Sequence, residues 1–148
     1  MTYEKLTYSG TTVNNYLYFA FNADTFDTAL VTRELGIAPT AVRIKQDPVP
    51  KSTTWKYEIE VGHEVDLVTP LHRLIDIFEP HIAAINQLKR DWNLKTALIF
   101  VIDIDINPEA STPYFGLSNR VIDFLGKTET EVDFDLYKAD TVGLLDRL

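Results

Sequence analysis

Strand-like and helix-like patterns follow one another along this chain in an order that predicts a single α+β domain. The expected architecture is a mixed, mostly antiparallel sheet with helices packed on one face. Three observations carry the expectation. Tyr16 to Asn22 (YLYFAFN) is an aromatic run with strand composition. Thr54 to Val61 (TWKYEIEV) alternates apolar and charged residues with a period of two. Between such runs lie helical stretches with capping residues at their starts and glycines at their ends.

The elements are taken in order. YLYFAFN reads as a strand buried on both faces. Asp24 follows as a helix cap, with Asp27 at the third helical position, where a carboxylate suits the positive helix end. Phe26, Leu30 and Leu35 hold that helix to a core, and Gly36, with Pro39 beyond, stops it. Ala41 to Lys45 forms a short strand, and the turn-prone DPVPKST leads into TWKYEIEV. A helical region then runs from about Leu67 to Trp92, and Pro80 demands a kink or two helices meeting near Glu79. Leu94 to Ile106 is a long strand and Pro113 to Leu117 a short one. Ser118 caps a helix bearing Val121, Ile122 and Leu125, Gly126 ends it, and Glu131 to Tyr137 closes the sheet. The order is βαββαββαβ, and its first six elements follow the split βαβ order of ferredoxin-like folds. Residues 1–148 make one domain, with 1–12 and 140–148 peripheral.

Composition narrows the function classes. Hydrophobic residues at 45% and charged residues at 24% are globular rather than disordered values. A formal charge of −8 repels phosphate backbones and anionic lipid surfaces, which makes nucleic acid and membranes poor partners and a basic protein or a cation a better one. The chain has no cysteine, so thiolate metal sites and cysteine nucleophiles are excluded. MTYEKLTYSG lacks the apolar stretch of a signal peptide, and a cytoplasmic protein is expected. Charge is uneven. The segment Asp103 to Asp135 holds eight acidic residues against Arg120 and Lys127, whereas Arg43, Lys45, Lys51 and Lys56 stand against Asp47 alone.

Four aspartates are the first candidates for chemistry. Residues two apart on a strand share a face, so Asp103 and Asp105 point the same way, as do Asp133 and Asp135. Were the two strands neighbours, the carboxylates could gather a hard cation such as calcium or magnesium. The same alternation is also what the solvated side of a half-buried sheet looks like, with Val132, Phe134 and Leu136 facing the core. The histidines His63, His72 and His81 are nine residues apart, which sets His72 and His81 on opposite sides of a helix. His72 and Asp76 have a four-residue spacing, but two ligands make a weak site. No serine sits in a Gly-x-Ser-x-Gly setting, and the six glycines form no phosphate loop. Trp55 beside Lys56 and Arg43 forms an aromatic-basic recognition spot if its ring is exposed, and a piece of core if it faces inward with Tyr57 and Ile59.

Three blocks carry a family resemblance: YFAFN-ADTFD with RELGIAPT, the later STTW, and above all YFGLSNRVIDFLGKTETEVDFDLY. Over roughly Tyr16 to Tyr137 they resemble the bacterial family of domain of unknown function 4279. Asn119 stands where that pattern has a proline after the serine, and Gly126-Lys127 is a looser helix end. The resemblance implies a small α+β domain and supplies no catalytic residue or cofactor. Families of this size and genomic habit include immunity proteins against secreted toxins, an analogy of habit only.

The resulting expectation is a non-enzymatic binding domain whose acidic face engages a basic partner, most concretely as an immunity-type protein. Its binding residues are Asp133, Asp135, Asp103 and Asp105, with Trp55 and Arg43 as the aromatic-basic spot. Two alternatives remain at this point: a divalent-cation or small-ligand site on the same aspartates, and an enzyme whose site the sequence does not display. No cofactor, no catalytic residue and no metal ligand is assigned.

Overall fold

A computed structural model of the chain describes residues 10–46 and 51–147. Among them the elements run β1 (Asn15–Ala23), α1 (Thr28–Leu35), β2 (Ala41–Lys45), β3 (Ser52–Gly62), α2 (Val68–Phe78), α3 (Ile82–Trp92), β4 (Lys95–Asp105), α4 (Asn119–Lys127) and β5 (Glu131–Ala139). The strands form one sheet in the order β2-β3-β1-β4-β5. The first three pairings are antiparallel and β4-β5 is parallel. This is the mixed, mostly antiparallel sheet expected. Its first four strands have the split βαβ arrangement, extended by a fifth strand that a helix connects.

Helices cover one face. Leu17, Phe19 and Phe21 project from β1 toward them, beside Trp55 and Tyr57 of β3 and Leu98 and Phe100 of β4. Phe78 of α2 meets Phe19, Trp55 and Tyr57 with ring centroids 4.6, 6.2 and 5.8 Å apart. Phe124 of α4 comes within 5.9 Å of Phe19. The Lys89 ammonium of α3 donates to Thr96 Oγ1 and to the Thr128 and Glu129 carbonyls, fastening the end of α4 to the helical layer.

Local differences from the expected boundaries have physical reasons. Asp27, not Asp24, caps α1, because β1 continues to Ala23 and the bend follows; its Oδ1 accepts the Ala29 N–H at 3.0 Å. Gly36 at φ 67° ends that helix in the left-handed conformation glycine tolerates best. Asp66 accepts the N–H groups of Val68 and Thr69 at the start of α2. The break at Pro80 is a 3-10 turn, Glu79–His81, where the missing N–H interrupts the helix. Gly126 lies inside α4, which ends at Thr128, whose hydroxyl bonds back to the Phe124 carbonyl. The expected strand at Pro113–Leu117 is absent. Among the described residues only Tyr114 of this stretch makes a bridge, to Asp66, its N–H donating to the Val65 carbonyl and its carbonyl accepting the Leu67 N–H. The order is therefore βαββααβαβ. Of the segments read as peripheral or turn-prone, residues 1–9 and 47–50 lie outside the described residues.

Candidate functional site

The strand YLYFAFN is buried on one face only, contrary to its reading as a doubly buried strand. All four helices pack on the side of Leu17, Phe19 and Phe21, so Tyr16, Tyr18 and Asn22 turn to a face that no helix of the described residues covers. The registers extend that face across the sheet. Arg43 and Lys45 of β2 stand opposite Thr54 and Ser52 of β3; farther along, Glu58 and Glu60 of β3 stand opposite Tyr18 and Tyr16, which are followed by Ile99 and Val101 of β4 and then by Asp133 and Asp135 of β5. Arg43, Lys45 and Lys56 make one corner of this face basic, whereas the rows of Tyr16 and Tyr18 carry a glutamate on β3 and an aspartate on β5.

Lys56 Nζ lies 4.7 Å over the Tyr18 ring and 3.5 Å from Glu58 Oε1. Burial holds the Tyr16 phenol above its ordinary pKa, and the field of Glu58, Tyr137, Asp135 and Asp103 adds to it. Tyr18 is raised in the same way, by burial and then by Asp135, Tyr16, Glu58 and Asp133.

The four aspartates share this face but do not act as one group. Parallel pairing sets Asp133 opposite Ile99 and Asp135 opposite Val101, whereas Asp103 lies opposite Tyr137 and Asp105 opposite Ala139. Asp103 is only 7% exposed, and its Oδ2 accepts the Asn14 N–H at 2.8 Å. Its own N–H donates to Asn15 Oδ1 at 2.7 Å. Burial acts to raise the Asp105 pKa, but hydrogen bonds from Thr141 and the Asn107 N–H outweigh it and hold the carboxyl below the usual range. Asp103 and Asp105 thus tie loops to the sheet. Asp133 and Asp135 stand on the edge strand. Among the described residues no three His, Asp or Glu side chains gather in a way that could hold a metal ion.

The remaining sequence candidates fall apart spatially. Trp55 is not a surface anchor beside Arg43. It is fully buried on the helical side, its indole N–H donates to Thr32 Oγ1 at 3.0 Å, and its ring packs edge-on to Phe21. Arg43 is exposed on the opposite face of β2, four strand spacings or about 19 Å from the acidic edge. Asp76 binds Arg120 at 2.8 Å, and Arg120 also pairs with Glu79 at 3.0 Å, so the spacing of His72 and Asp76 marks a surface ion network. A cleft of about 760 Å³ opens at one end of the sheet, lined by His63, Glu64, Asp103, Asp105, Ser111 and Thr141 among others.

Two features escaped the sequence reading. Phe134 and Leu136 point to the helical side as expected, yet they remain 38% and 55% exposed, because β5 runs beyond the helical cover. Phe134 stacks on Phe100 at 5.1 Å and Phe115 closes the trio at 5.2 Å, leaving an apolar strip along this edge. The open central face is the other. Its signal was present in YLYFAFN, where amphipathic Tyr16, Tyr18 and Asn22 alternate with Leu17, Phe19 and Phe21.

A family model described as a domain of unknown function, DUF4279, matches residues 11–139. No curated protein and no solved structure matches the chain.

Proposed function

Since the chain belongs to the DUF4279 family, whose description assigns no activity, we propose from the geometry that it is a protein-binding module and that β5 is its docking edge. The single observation that carries this reading is the pattern of β5. Glu131, Asp133 and Asp135 form a row on one side of an edge strand, while Phe134 and Leu136 expose apolar surface on the other. An edge strand of this kind offers backbone hydrogen bonds for affinity, and its alternating side chains supply selectivity for a basic, partly apolar segment. The overall charge of −8 favours the same class of partner by steering it. An immunity-type role, blocking a basic toxin, is the most concrete form of this reading. It is tested by co-purification from the native host with the wild-type chain and with a chain carrying Asp133→Lys and Asp135→Lys. Loss of a specific partner from the variant supports the docking edge; an unchanged set of partners refutes it.

A further inference from the structure

The basic corner of the open sheet face borders a hollow of about 140 Å³, lined by Tyr18, Asn22, Arg43, Thr54, Lys56 and Ile99. We propose that this hollow binds a small organic monocarboxylate, with Arg43 holding the carboxylate and Tyr18 and Ile99 receiving its apolar stem. The site shares no residue with the β5 edge, so neither reading depends on the other.

The sheet registers set its shape. Arg43, Thr54 and Asn22 stand in one row across β2, β3 and β1, and Tyr18 and Ile99 stand in another across β1 and β4. The two rows are four residues apart along β1, about 13 Å. Ala20 lies between them, opposite Lys56, and because its side chain ends at Cβ the surface dips there. One end of the dip is therefore polar and cationic, and the other is aromatic and aliphatic. A volume of this size takes an acid of a few carbon atoms and not a drug-sized ligand, which needs about 300 Å³ or more.

The charge matches a single negative group. Lys56 Nζ lies 3.5 Å from Glu58 Oε1 and 4.7 Å over the Tyr18 ring, so its charge is answered within the protein. Arg43 has no ion pair and no hydrogen bond among the described residues, and it supplies the uncompensated positive charge. A second negative charge on the ligand would meet Glu58, opposite Tyr18, and Asp133, opposite Ile99. A monocarboxylate is thus favoured over phosphate.

The donors fit as well. The planar guanidinium fork matches the two oxygens of a carboxylate. The Thr54 hydroxyl donates to Asn22 Oδ1 at 2.8 Å, which orients that amide and leaves its Nδ2 as a donor without a partner among the described residues. At the other end, burial, with the field of Asp135 behind it, holds Tyr18 above its ordinary pKa, so this wall stays neutral near pH 7.

The test follows the side-chain N–H signals of Arg43 and Asn22 by NMR while sodium propionate is added to the full chain. Ionic strength is held with sodium chloride, so that screening stays constant. Both signals are expected to move and saturate, with a dissociation constant of about 1–10 mM, the range of a few charge-assisted hydrogen bonds to a small ligand. Arg43→Lys keeps the charge and loses the fork; read at Asn22, it should weaken binding by about fivefold, and Arg43→Gln by about tenfold or more. Asn22→Ala, read at Arg43, should weaken it by about threefold. Lys45→Gln, outside the hollow, should change it by less than about twofold. Arg43 is exposed, so its replacement should leave the backbone amide spectrum that of the folded chain. Inorganic phosphate should bind the same residues less tightly than propionate. Shifts that stay linear with concentration, or that Arg43→Gln leaves unchanged, overturn the site. Equal weakening by Lys45→Gln and Arg43→Gln overturns it too, because the attraction then belongs to the whole basic corner. Phosphate binding tighter than propionate overturns the carboxylate assignment.

Discussion

Asn15 offers the sharpest test of how this sheet is held. It opens β1, is fully buried, and links three parts of the chain. Its Nδ2 donates to the Glu64 carbonyl at 3.0 Å, and its Oδ1 accepts the buried Asp103 N–H at 2.7 Å. Asn15→Ala removes both partners and adds none. The Asp103 N–H, left dry, costs about 2–3 kcal/mol, and the partly wet Glu64 carbonyl about 1 kcal/mol, for a total of roughly 3–4 kcal/mol. For a chain of this length that lowers Tm by about 6–16 °C. The control is Asn22→Ala on the same strand, where a half-exposed amide accepts only the Thr54 hydroxyl at 2.8 Å; its expected cost is about 1 kcal/mol or less. Urea denaturation monitored by Trp55 fluorescence gives both numbers. If Asn15→Ala costs no more than Asn22→Ala, the three-way tie is not what holds the start of β1 to β4, and the reasoning fails.

Further outcomes follow from the same geometry. Tyr16 and Tyr18 should ionise above free tyrosine in an alkaline absorbance titration. Because their folded pKa values are raised, the folded state keeps protons that the unfolded chain has released. Their contribution to stability is therefore full below about pH 10 and falls above it; Asp135→Asn should move Tyr18 back toward the free value, and no movement would argue against the register that sets them on one face. Asp105 shows the opposite sign. Its pKa is lowered in the fold by Thr141 and Asn107 against the effect of burial, so it stabilises the protein above the unfolded pKa and that contribution is lost as pH falls through the folded one. Thr141→Val should flatten the acid limb of a stability-pH curve relative to wild type. Glu129 sits at φ 48°, strained for a residue with a Cβ, so Glu129→Gly should stabilise by about 0.5–1 kcal/mol in urea, and a loss would show that this backbone site is not strained.

Much of the fold was legible because its determinants are local. The alternation in TWKYEIEV, the glycine that follows the last turn of α1 in RELGIAPT and the proline at 80 each act within a few residues, and each element formed close to where its pattern placed it. Pairing was not legible, because the partner of a strand is decided by the whole chain. FVIDIDIN and EVDFDLY have the same local pattern. Asp103 and Asp105 became loop anchors because Asn14, Asn107 and Thr141 fold against the end of β4, whereas Asp133 and Asp135 lie on β5, the last strand in the sheet order. Trp55 was ambiguous for the same reason: strand alternation shows that it shares a face with Tyr57 and Ile59, not whether a helix such as α2 covers that face.

The central position of β1 also governs how the chain must be made. Both neighbours of β1 come later in the sequence, and the second, β4, is complete only at Asp105, 82 residues after β1 ends at Ala23. At about 5–20 residues per second a ribosome needs roughly 4–16 s to supply that stretch. For that interval LYFAF, the most aromatic stretch of the chain, has no partner on one side. The nascent protein is therefore most exposed to aggregation and to chaperone capture through its earliest strand, and slowing synthesis before residue 105 should lengthen that window in direct proportion.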